Sequence, residues 1–240
     1  MTYKARKNLQ YITFGMLAVL LVLIISTAMI FMTYNLALMT SENAQAKKAE
    51  KYASQIDTTE KGSVCFLGDS ITEMYDLEKH FKNKNYVNRG ISSNETQDIL
   101  DRLDSNVIAI EPSVVVLLVG VNDLGHGVDN NTIISNYDKI LYELTTKLES
   151  AKILVQSIYP TRTLSNFNSI NLTKNRKNQD IINLNIEINK LAEKYNLTYV
   201  DTHSVLVDSE GMLNANYTLD GLHLNDDGYR KVSEHLKKFI

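Results

Sequence analysis

Cysteine is nearly absent from this sequence, since Cys65 is the only one among 240 residues. A single cysteine excludes an intrachain disulfide and any metal site built from several cysteines. It does not identify the cellular compartment. Its place in the apolar stretch Val64–Leu67 predicts a buried residue of a β-strand.

Concentrated positive charge is also lacking. The formal net charge is −3 and the basic residues are dispersed, whereas nucleic-acid-binding proteins gather lysine and arginine on one surface. We therefore predict no nucleic-acid partner. Internal repeats and low-complexity segments are missing too. The length and an apolar content of 44% allow one large domain or two small ones with a substantial core.

The sequence does contain a long apolar run near its N-terminus. Residues 12–32 carry no charge, and as a helix they extend over roughly 30 Å, the thickness of a bilayer's hydrocarbon core. Basic residues lie closer before this run than after it, which favours a cytoplasmic N-terminus. The nearest ones are Lys4, Arg6 and Lys7 before it and Lys47, Lys48 and Lys51 after it. We predict a cytoplasmic segment (1–11), a single-pass signal anchor in the cell membrane (12–32), and an extracytoplasmic body.

Two alternatives exist for this run. Ala44-Gln45-Ala46 has the small-x-small form of a signal cleavage site, so cleavage after Ala46 and secretion is the first. The run is longer than the usual apolar region of a secretory signal, about 7 to 15 residues, which favours retention. The second alternative is a buried core helix, and the lack of a polar face along the run disfavours it.

The remaining chain divides into a stalk and a folded domain. Residues 33–60 are predicted as a partly helical stalk, because residues 41–50 are rich in helix formers and contain no glycine or proline. Residues 61–240 are predicted as the folded domain.

Within residues 61–240, short apolar runs alternate with amphipathic ones. Four of the five runs show no polar alternation, which is typical of parallel strands covered on both faces. The predicted strands are Val64–Leu67, Tyr86–Val87, Val114–Val119, Ile153–Val155 and Leu197–Val200. Between the strands, apolar residues recur every three or four positions and predict helices with one buried stripe each. This alternation predicts a three-layer α/β domain with right-handed crossovers.

Polar residues follow the first three predicted strands. Open parallel sheets bind ligands beyond the carboxyl ends of their strands, so Ser70, Gly90 and Asn122 should meet at one edge. A serine hydroxyl becomes a nucleophile only with a base within hydrogen-bond reach. Ester hydrolysis also needs donors for an oxyanion. The backbone N–H groups of Ser70 and Gly90 and the side-chain amide of Asn122 are the candidate donors.

Three of the five histidines are weak candidates for the base, and a fourth is a rival to the preferred one. His80 and His235 lie in predicted helices, where a surface role is expected. His126 lies in a loop after the third strand, and surface polarity explains it equally well. His203 follows the fifth strand beside Asp201 and is a genuine rival.

His223 is the preferred base, because Asp220 lies three positions before it. An acid at this spacing can accept the Nδ1 proton across a tight turn and leave Nε2 facing Ser70. A metal-binding pair is the alternative for these two residues, but the sequence offers no third ligand.

Four stretches, in this order, resemble the signature blocks of the SGNH hydrolases, also called the GDSL esterase/lipase family. They are Gly68-Asp69-Ser70, Asn88–Ile91, Gly120–Asp123, and Asp220 with His223. The similarity covers residues 61–240, and its longer stretches look closest to the branch similar to platelet-activating-factor acetylhydrolase and bacterial acetyl esterases. Ile71 departs from the leucine in the family's usual name. The Gly-x-Ser-x-Gly elbow of the α/β-hydrolases is absent.

The resemblance implies a flavodoxin-like α/β/α sandwich, with a five-stranded parallel sheet in the order 2-1-3-4-5 and no metal or organic cofactor. Carried over by position, Ser70 is the nucleophile, Asp220 and His223 complete the triad, and the Ser70 amide, Gly90 and Asn122 form the oxyanion hole.

We therefore predict a membrane-anchored extracytoplasmic serine esterase that removes short acyl groups, chiefly acetyl, from cell-surface glycans or lipids. One alternative is an O-acyltransferase, in which a sugar hydroxyl replaces water. A lysophospholipase or thioesterase, which prefers long acyl chains, is another. A catalytically idle surface-binding module is a non-enzymatic alternative, and the complete set of catalytic positions disfavours it.

Overall fold

The computed structural model describes residues 3–82, 85–165 and 171–240, so the first two residues of the predicted cytoplasmic segment lie outside it. The chain divides into two compact units, residues 1–47 and residues 48–240. The second unit carries the β-sheet and begins before the predicted domain boundary at residue 61.

The first helix, α1 (Tyr3–Ala53), contains the apolar run. The most apolar 18-residue window of its segment Thr13–Ala53 has a mean hydropathy of 2.7, and no residue of that window is buried. Among the described residues, this is the one helix long and apolar enough to cross a membrane. Its exposed apolar side chains do not match the alternative of a buried core helix.

The end of α1 belongs to the sheet-bearing unit because its side chains pack there. Tyr52 is only 8% exposed, and its hydroxyl donates to the Gly90 carbonyl at 2.9 Å. The Arg89 guanidinium lies over the Tyr52 ring, 4.7 Å from its centroid. Lys48 forms an ion pair with Glu73. The C-terminal part of the predicted stalk is therefore part of the folded domain.

Five parallel strands form the sheet, and each lies where an apolar run predicted it. Their order is β2-β1-β3-β4-β5, as predicted. Cys65 is fully buried within the first strand. The strands are β1 (Val64–Gly68), β2 (Tyr86–Gly90), β3 (Val114–Leu118), β4 (Lys152–Gln156) and β5 (Thr198–Val200).

The helices cover the sheet. They include α2 (Ser70–Glu73), α3 (Leu77–Phe81), α4 (Thr96–Asn106), α5 (Val121–His126), α6 (Asn130–Lys147), α7 (Asn178–Lys194), α8 (His203–Leu206) and α9 (Asp226–Leu236). Single turns of 3₁₀-helix cover Ile56–Thr58, Ile108–Ile110 and Ala215–Tyr217. The predicted stripe on α6 is buried, since Ile133, Tyr137, Ile140 and Leu144 are all 0% exposed.

The strand order divides the helices between the two faces. The chain moves one way across the sheet from β1 to β2 and the other way afterwards. Right-handed crossovers therefore place α3 on one face and α4, α6 and α7 on the other, and α9 packs against α3. The point where the direction reverses lies between β1 and β3, and ligands of such sheets bind at that point.

Candidate active site

Ser70 lies just beyond the carboxyl end of β1, near the point between β1 and β3 where the strand order reverses direction. The strand ends at Gly68, Asp69 is the N-cap of α2, and Ser70 is the first residue of that helix. The Asp69 carboxylate accepts a hydrogen bond from the Ile71 amide at 2.9 Å and so fixes the turn. Ser70 is therefore held at a helix N-terminus, where backbone N–H groups have no partner within the helix.

His223 reaches Ser70 from the loop that precedes α9. The Ser70 Oγ lies 3.0 Å from His223 Nε2, and His223 Nδ1 lies 2.6 Å from Asp220 Oδ2. These contacts bring Ser70 together with the predicted pair Asp220 and His223, although Ser70 and His223 are 153 positions apart in sequence. Their order, hydroxyl to imidazole to carboxylate, is the arrangement in which a histidine can take a proton from a serine.

Asp220 is fixed by the backbone of its own turn. Its Oδ1 accepts the amide hydrogens of Leu222 at 2.9 Å and His223 at 2.8 Å, which leaves Oδ2 for the imidazole. Burial alone raises the pKa of Asp220, but the hydrogen bonds from the His223 side chain and from the two amides outweigh it. The pKa of Asp220 therefore lies below its ordinary value, and the group is a carboxylate at neutral pH.

Asn122 lies in α5, just beyond the carboxyl end of β3. The turn into this helix uses Gly120 with φ +115°, a conformation that side chains rarely adopt. The Asn122 Nδ2 donates to the Asn94 carbonyl at 3.0 Å, and its Oδ1 accepts from Arg176 at 3.1 Å. One of the two Asn122 N–H bonds is therefore used to join α5 to the loop after β2.

Gly90 lies at the end of β2, as predicted, but its N–H already has a partner. This group donates to the Asn88 Oδ1 at 2.9 Å. A Cβ at Gly90 would lie 2.2 Å from the backbone nitrogen of Glu73, so the glycine lets α2 approach the strand closely. The role of Gly90 as an oxyanion donor stays a prediction, because that role requires its bond to Asn88 to be given up.

The other histidines have different surroundings. The rival His203 begins α8, where its backbone N–H donates to the Ser157 Oγ at 2.7 Å. His80 pairs with Asp226, and His126 pairs with Glu95. The ring that faces the Ser70 hydroxyl is that of His223.

No motif gave a role to two residues that support the site. Arg176 reaches Asn122 from a loop that no motif identified. Asp123 accepts hydrogen bonds from both the amide and the hydroxyl of Thr96, which ties the start of α4 to α5. Asp123 stood within the Gly120–Asp123 block, so its position could have been noted, but its partner could not.

Asp69 is buried with one oxygen lacking a protein partner. It is 0% exposed, and its Oδ2 has no hydrogen bond among the described residues. Burial raises the pKa of Asp69 to about 7, against the opposing effect of the Ile71 amide. Because the folded state holds this proton more tightly than the unfolded chain, the ionisation of Asp69 lowers stability as pH rises from about 4 to about 7.

We expect Asp69→Asn to remove this pH dependence. Asparagine keeps the oxygen that accepts from the Ile71 amide but cannot ionise. One pKa unit corresponds to about 1.4 kcal/mol. The free energy of unfolding of the variant minus that of the native protein should therefore be larger at pH 8 than at pH 5, by more than about 1 kcal/mol. Chemical unfolding at both pH values measures this, and an equal difference at both would contradict it.

A metal centre was the alternative for Asp220 and His223. In the ranges that the structure describes, no group of three or more histidine, cysteine, aspartate or glutamate side chains could hold a metal ion. What the geometry offers at this edge is a hydroxyl, an imidazole, a carboxylate and an amide. These are the kinds of group that nucleophilic acyl transfer uses.

Comparison with known proteins places the chain in a family. Residues 66–231 match the GDSL-like Lipase/Acylhydrolase family. The alpha2 subunit of platelet-activating factor acetylhydrolase IB from Homo sapiens is 28% identical over 183 residues, which cover 74% of this chain and 75% of that protein.

Solved structures share the fold. One, from Streptococcus pneumonia, has a TM-score of 0.81 and 30% identity, and the match covers 87% of this chain and 98% of that one. The acetyl xylan esterase AlAXEase has a TM-score of 0.60 and 25% identity over 74% of this chain and 99% of its own. The chain therefore belongs to the GDSL-like lipase/acylhydrolase family and is a hydrolase that acts on ester bonds.

Proposed function

We propose that this hydrolase is a serine esterase in which Ser70 is the nucleophile, His223 the general base and Asp220 the residue that orients the imidazole. The observation that supports the proposal most is the Ser70 Oγ to His223 Nε2 distance of 3.0 Å. The His223 Nδ1 is held at 2.6 Å from Asp220, which leaves Nε2 free to accept the serine proton.

In the proposed reaction, the Ser70 oxygen attacks the acyl carbon while its proton moves to His223 Nε2. The imidazolium is stabilised by the Asp220 carboxylate. The tetrahedral intermediate collapses as the C–O bond to the alcohol breaks, and the alcohol leaves with the proton from Nε2. A water molecule then loses a proton to Nε2 and attacks the acyl-enzyme, and the acid is released as Ser70 regains its proton.

We propose that two N–H groups stabilise the oxyanion, one from the Ser70 amide and one from the Asn122 side chain. The Ser70 amide is at the first position of α2, where N–H groups are directed away from the helix. Asn122 has a second N–H beyond the one that donates to Asn94. One such donor contributes about 3 to 4 kcal/mol to transition-state stabilisation. The Gly90 N–H can donate to the oxyanion only if its hydrogen bond to Asn88 is broken on substrate binding.

We also propose an acetyl or similarly short acyl group as the one removed. The support comes from the relatives, since one is an acetylhydrolase and another an acetyl xylan esterase. The two names give different substrates, platelet-activating factor in one and xylan in the other, and the acetyl group is what they share.

The test is a series of nitrophenyl esters of increasing acyl length, hydrolysed by the full-length chain in detergent. We expect kcat/KM to fall at least about tenfold from acetate to octanoate, because a site that fits acetyl must exclude added methylenes. A preference for octanoate would contradict the short-acyl proposal and favour a lysophospholipase or thioesterase. With a glycan acceptor present, transfer in preference to hydrolysis would identify an O-acyltransferase.

We propose that α1 anchors the enzyme in the cell membrane, with residues 48–240 on the extracytoplasmic side. The apolar part of α1 has the length and composition of a membrane span, and the basic residues favour a cytoplasmic N-terminus. External protease on intact cells tests the placement, and complete protection of residues 48–240 there, with digestion after lysis, would contradict it.

A further inference from the structure

Arg176 makes three contacts with the loops around the site. Its Nε donates to the Val121 carbonyl at 2.9 Å, and one terminal nitrogen donates to the Asn122 Oδ1 at 3.1 Å. The other terminal nitrogen donates to the Leu172 carbonyl. Burial lowers the pKa of Arg176, while the nearby Asp69 charge raises it. The guanidinium is thus held in one orientation behind Asn122.

This contact decides which way the Asn122 amide faces. A guanidinium has only donors, so the atom of Asn122 that faces Arg176 must be the oxygen. The NH₂ group then faces the other way, and one of its hydrogens goes to the Asn94 carbonyl. The second hydrogen is left for a substrate oxygen.

The contact also changes how strongly Asn122 can donate. A hydrogen bond from a charged group to an amide oxygen is roughly twice as strong as a neutral one. Hydrogen bonds in a chain polarise one another. A cation on the Asn122 oxygen therefore draws electron density from the nitrogen, and its N–H groups become better donors to a negative charge.

We propose that Arg176 is a positioning residue that orients and polarises the side-chain amide of Asn122 for the oxyanion. The inference rests on the proposed function, in which Asn122 donates to that oxyanion. Its expected signature is a loss in kcat with little change in KM, because the oxyanion exists only along the reaction path.

A structural role must be separated from this positioning role, because Arg176 also binds the backbone of Val121 and Leu172. The double-mutant cycle below makes that separation, and Gly125 offers a second way to move the guanidinium, without truncating Arg176. A Cβ at this position would lie 2.2 Å from the Arg176 Cζ, at the mobile end of a long side chain. Gly125 lies in α5, and alanine is favoured over glycine in a helix. Gly125→Ala should therefore displace the guanidinium without straining the backbone.

The experiment is a double-mutant cycle in the full-length chain, assayed on nitrophenyl acetate. Asn122→Ala should lower kcat by about 10² to 10³, as loss of one oxyanion donor does. Arg176→Ala and Gly125→Ala should each lower kcat by about tenfold or more with KM within about twofold, since Asn122 remains but is misoriented. In the Asn122→Ala background, Arg176→Ala should cost less than about twofold more.

Added guanidinium at millimolar concentration should restore part of kcat in Arg176→Ala and none in the double variant. Arg230→Ala is the matched control, because Arg230 is a surface arginine of α9 and should leave kcat unchanged. If Arg176→Ala does not fold, Gly125→Ala alone decides, with its unfolding temperature as the check on structure.

Two outcomes overturn the inference in distinguishable ways. If Asn122→Ala lowers kcat but the losses from Arg176→Ala are fully additive, or lie in KM alone, Arg176 acts elsewhere and the proposed function stands. If Asn122→Ala leaves kcat unchanged while Ser70→Ala abolishes it, the oxyanion role of Asn122 fails, and the inference about Arg176 fails with it.

Discussion

Ser70→Ala is expected to lower kcat on nitrophenyl acetate by about 10⁵ to 10⁶, the scale of nucleophile loss in a serine protease. The variant lacks the oxygen that lies 3.0 Å from His223 Nε2, so no acyl-enzyme can form. His223→Ala should cost about as much, because the hydroxyl without its base is a weak nucleophile. The double variant should be no worse than either single one, since the two residues act as a unit.

The control for this prediction is His203→Ala. Among the described residues the imidazole hydrogen-bonded to Ser70 is that of His223. The contact of His203 with Ser157 is made by the backbone, which alanine retains. We expect its kcat within about threefold of the native value, because the reacting groups are untouched. If His203→Ala were as damaging as Ser70→Ala while His223→Ala kept activity, the proposed triad would be wrong. Unfolding temperatures of all variants show whether a loss is catalytic or structural.

Asp220→Asn is expected to have the second largest effect, a fall in kcat of about 10⁴, the scale seen for the same change in a serine protease. Asparagine can still accept from the amides of Leu222 and His223 through its oxygen, so the turn should persist. Its NH₂ group would then face the His223 Nδ1. That nitrogen must then accept, so the ring proton moves to Nε2, which can no longer take the proton of Ser70.

The matched control is Asp226→Asn, at a nearby carboxylate that pairs with Lys79 on the surface. Exposed ion pairs contribute little to stability, so kcat should stay near the native value. The measurement is kcat as a function of pH for both variants. If Asp220→Asn kept more than a tenth of the native kcat across that range, Asp220 would not hold the imidazole as proposed.

The sheet was predictable because its strands are buried on both faces. Val114–Leu118 carries no polar residue, and a continuous apolar run of this length is typical of a parallel strand covered on both faces. The stripe on α6 was equally clear from its spacing. The strand order came from the resemblance to a family, since an apolar run alone does not specify its neighbours.

The site was predictable only in part. Ser70, Gly90 and Asn122 follow strands, and the topology fixes which edge of the sheet they reach. Arg176 could not be found, because it is 54 positions from Asn122 and its loop has no periodic pattern. The hydrogen bond between Gly90 and Asn88 could not be predicted for a related reason. An asparagine side chain can accept from a neighbouring backbone N–H in many loop conformations, and the sequence does not select one of them.

The compact unit that carries the sheet begins at Lys48, before the predicted boundary at residue 61, for a physical reason. Composition shows that residues 41–50 favour a helix, but it does not show where that helix gains tertiary contacts. Tyr52 makes the main tertiary contact at this end of the helix, because a nearly buried aromatic ring contributes more to stability than the polar residues around it.

The sheet-bearing unit begins at Lys48, immediately beyond the Ala46 position at which a protease could cut. Shedding from the cell surface at that point would spare the Lys48 pairing with Glu73 and the Tyr52 bond to Gly90. A single cut could thus turn a tethered hydrolase into a diffusible one whose turnover on soluble esters is unchanged.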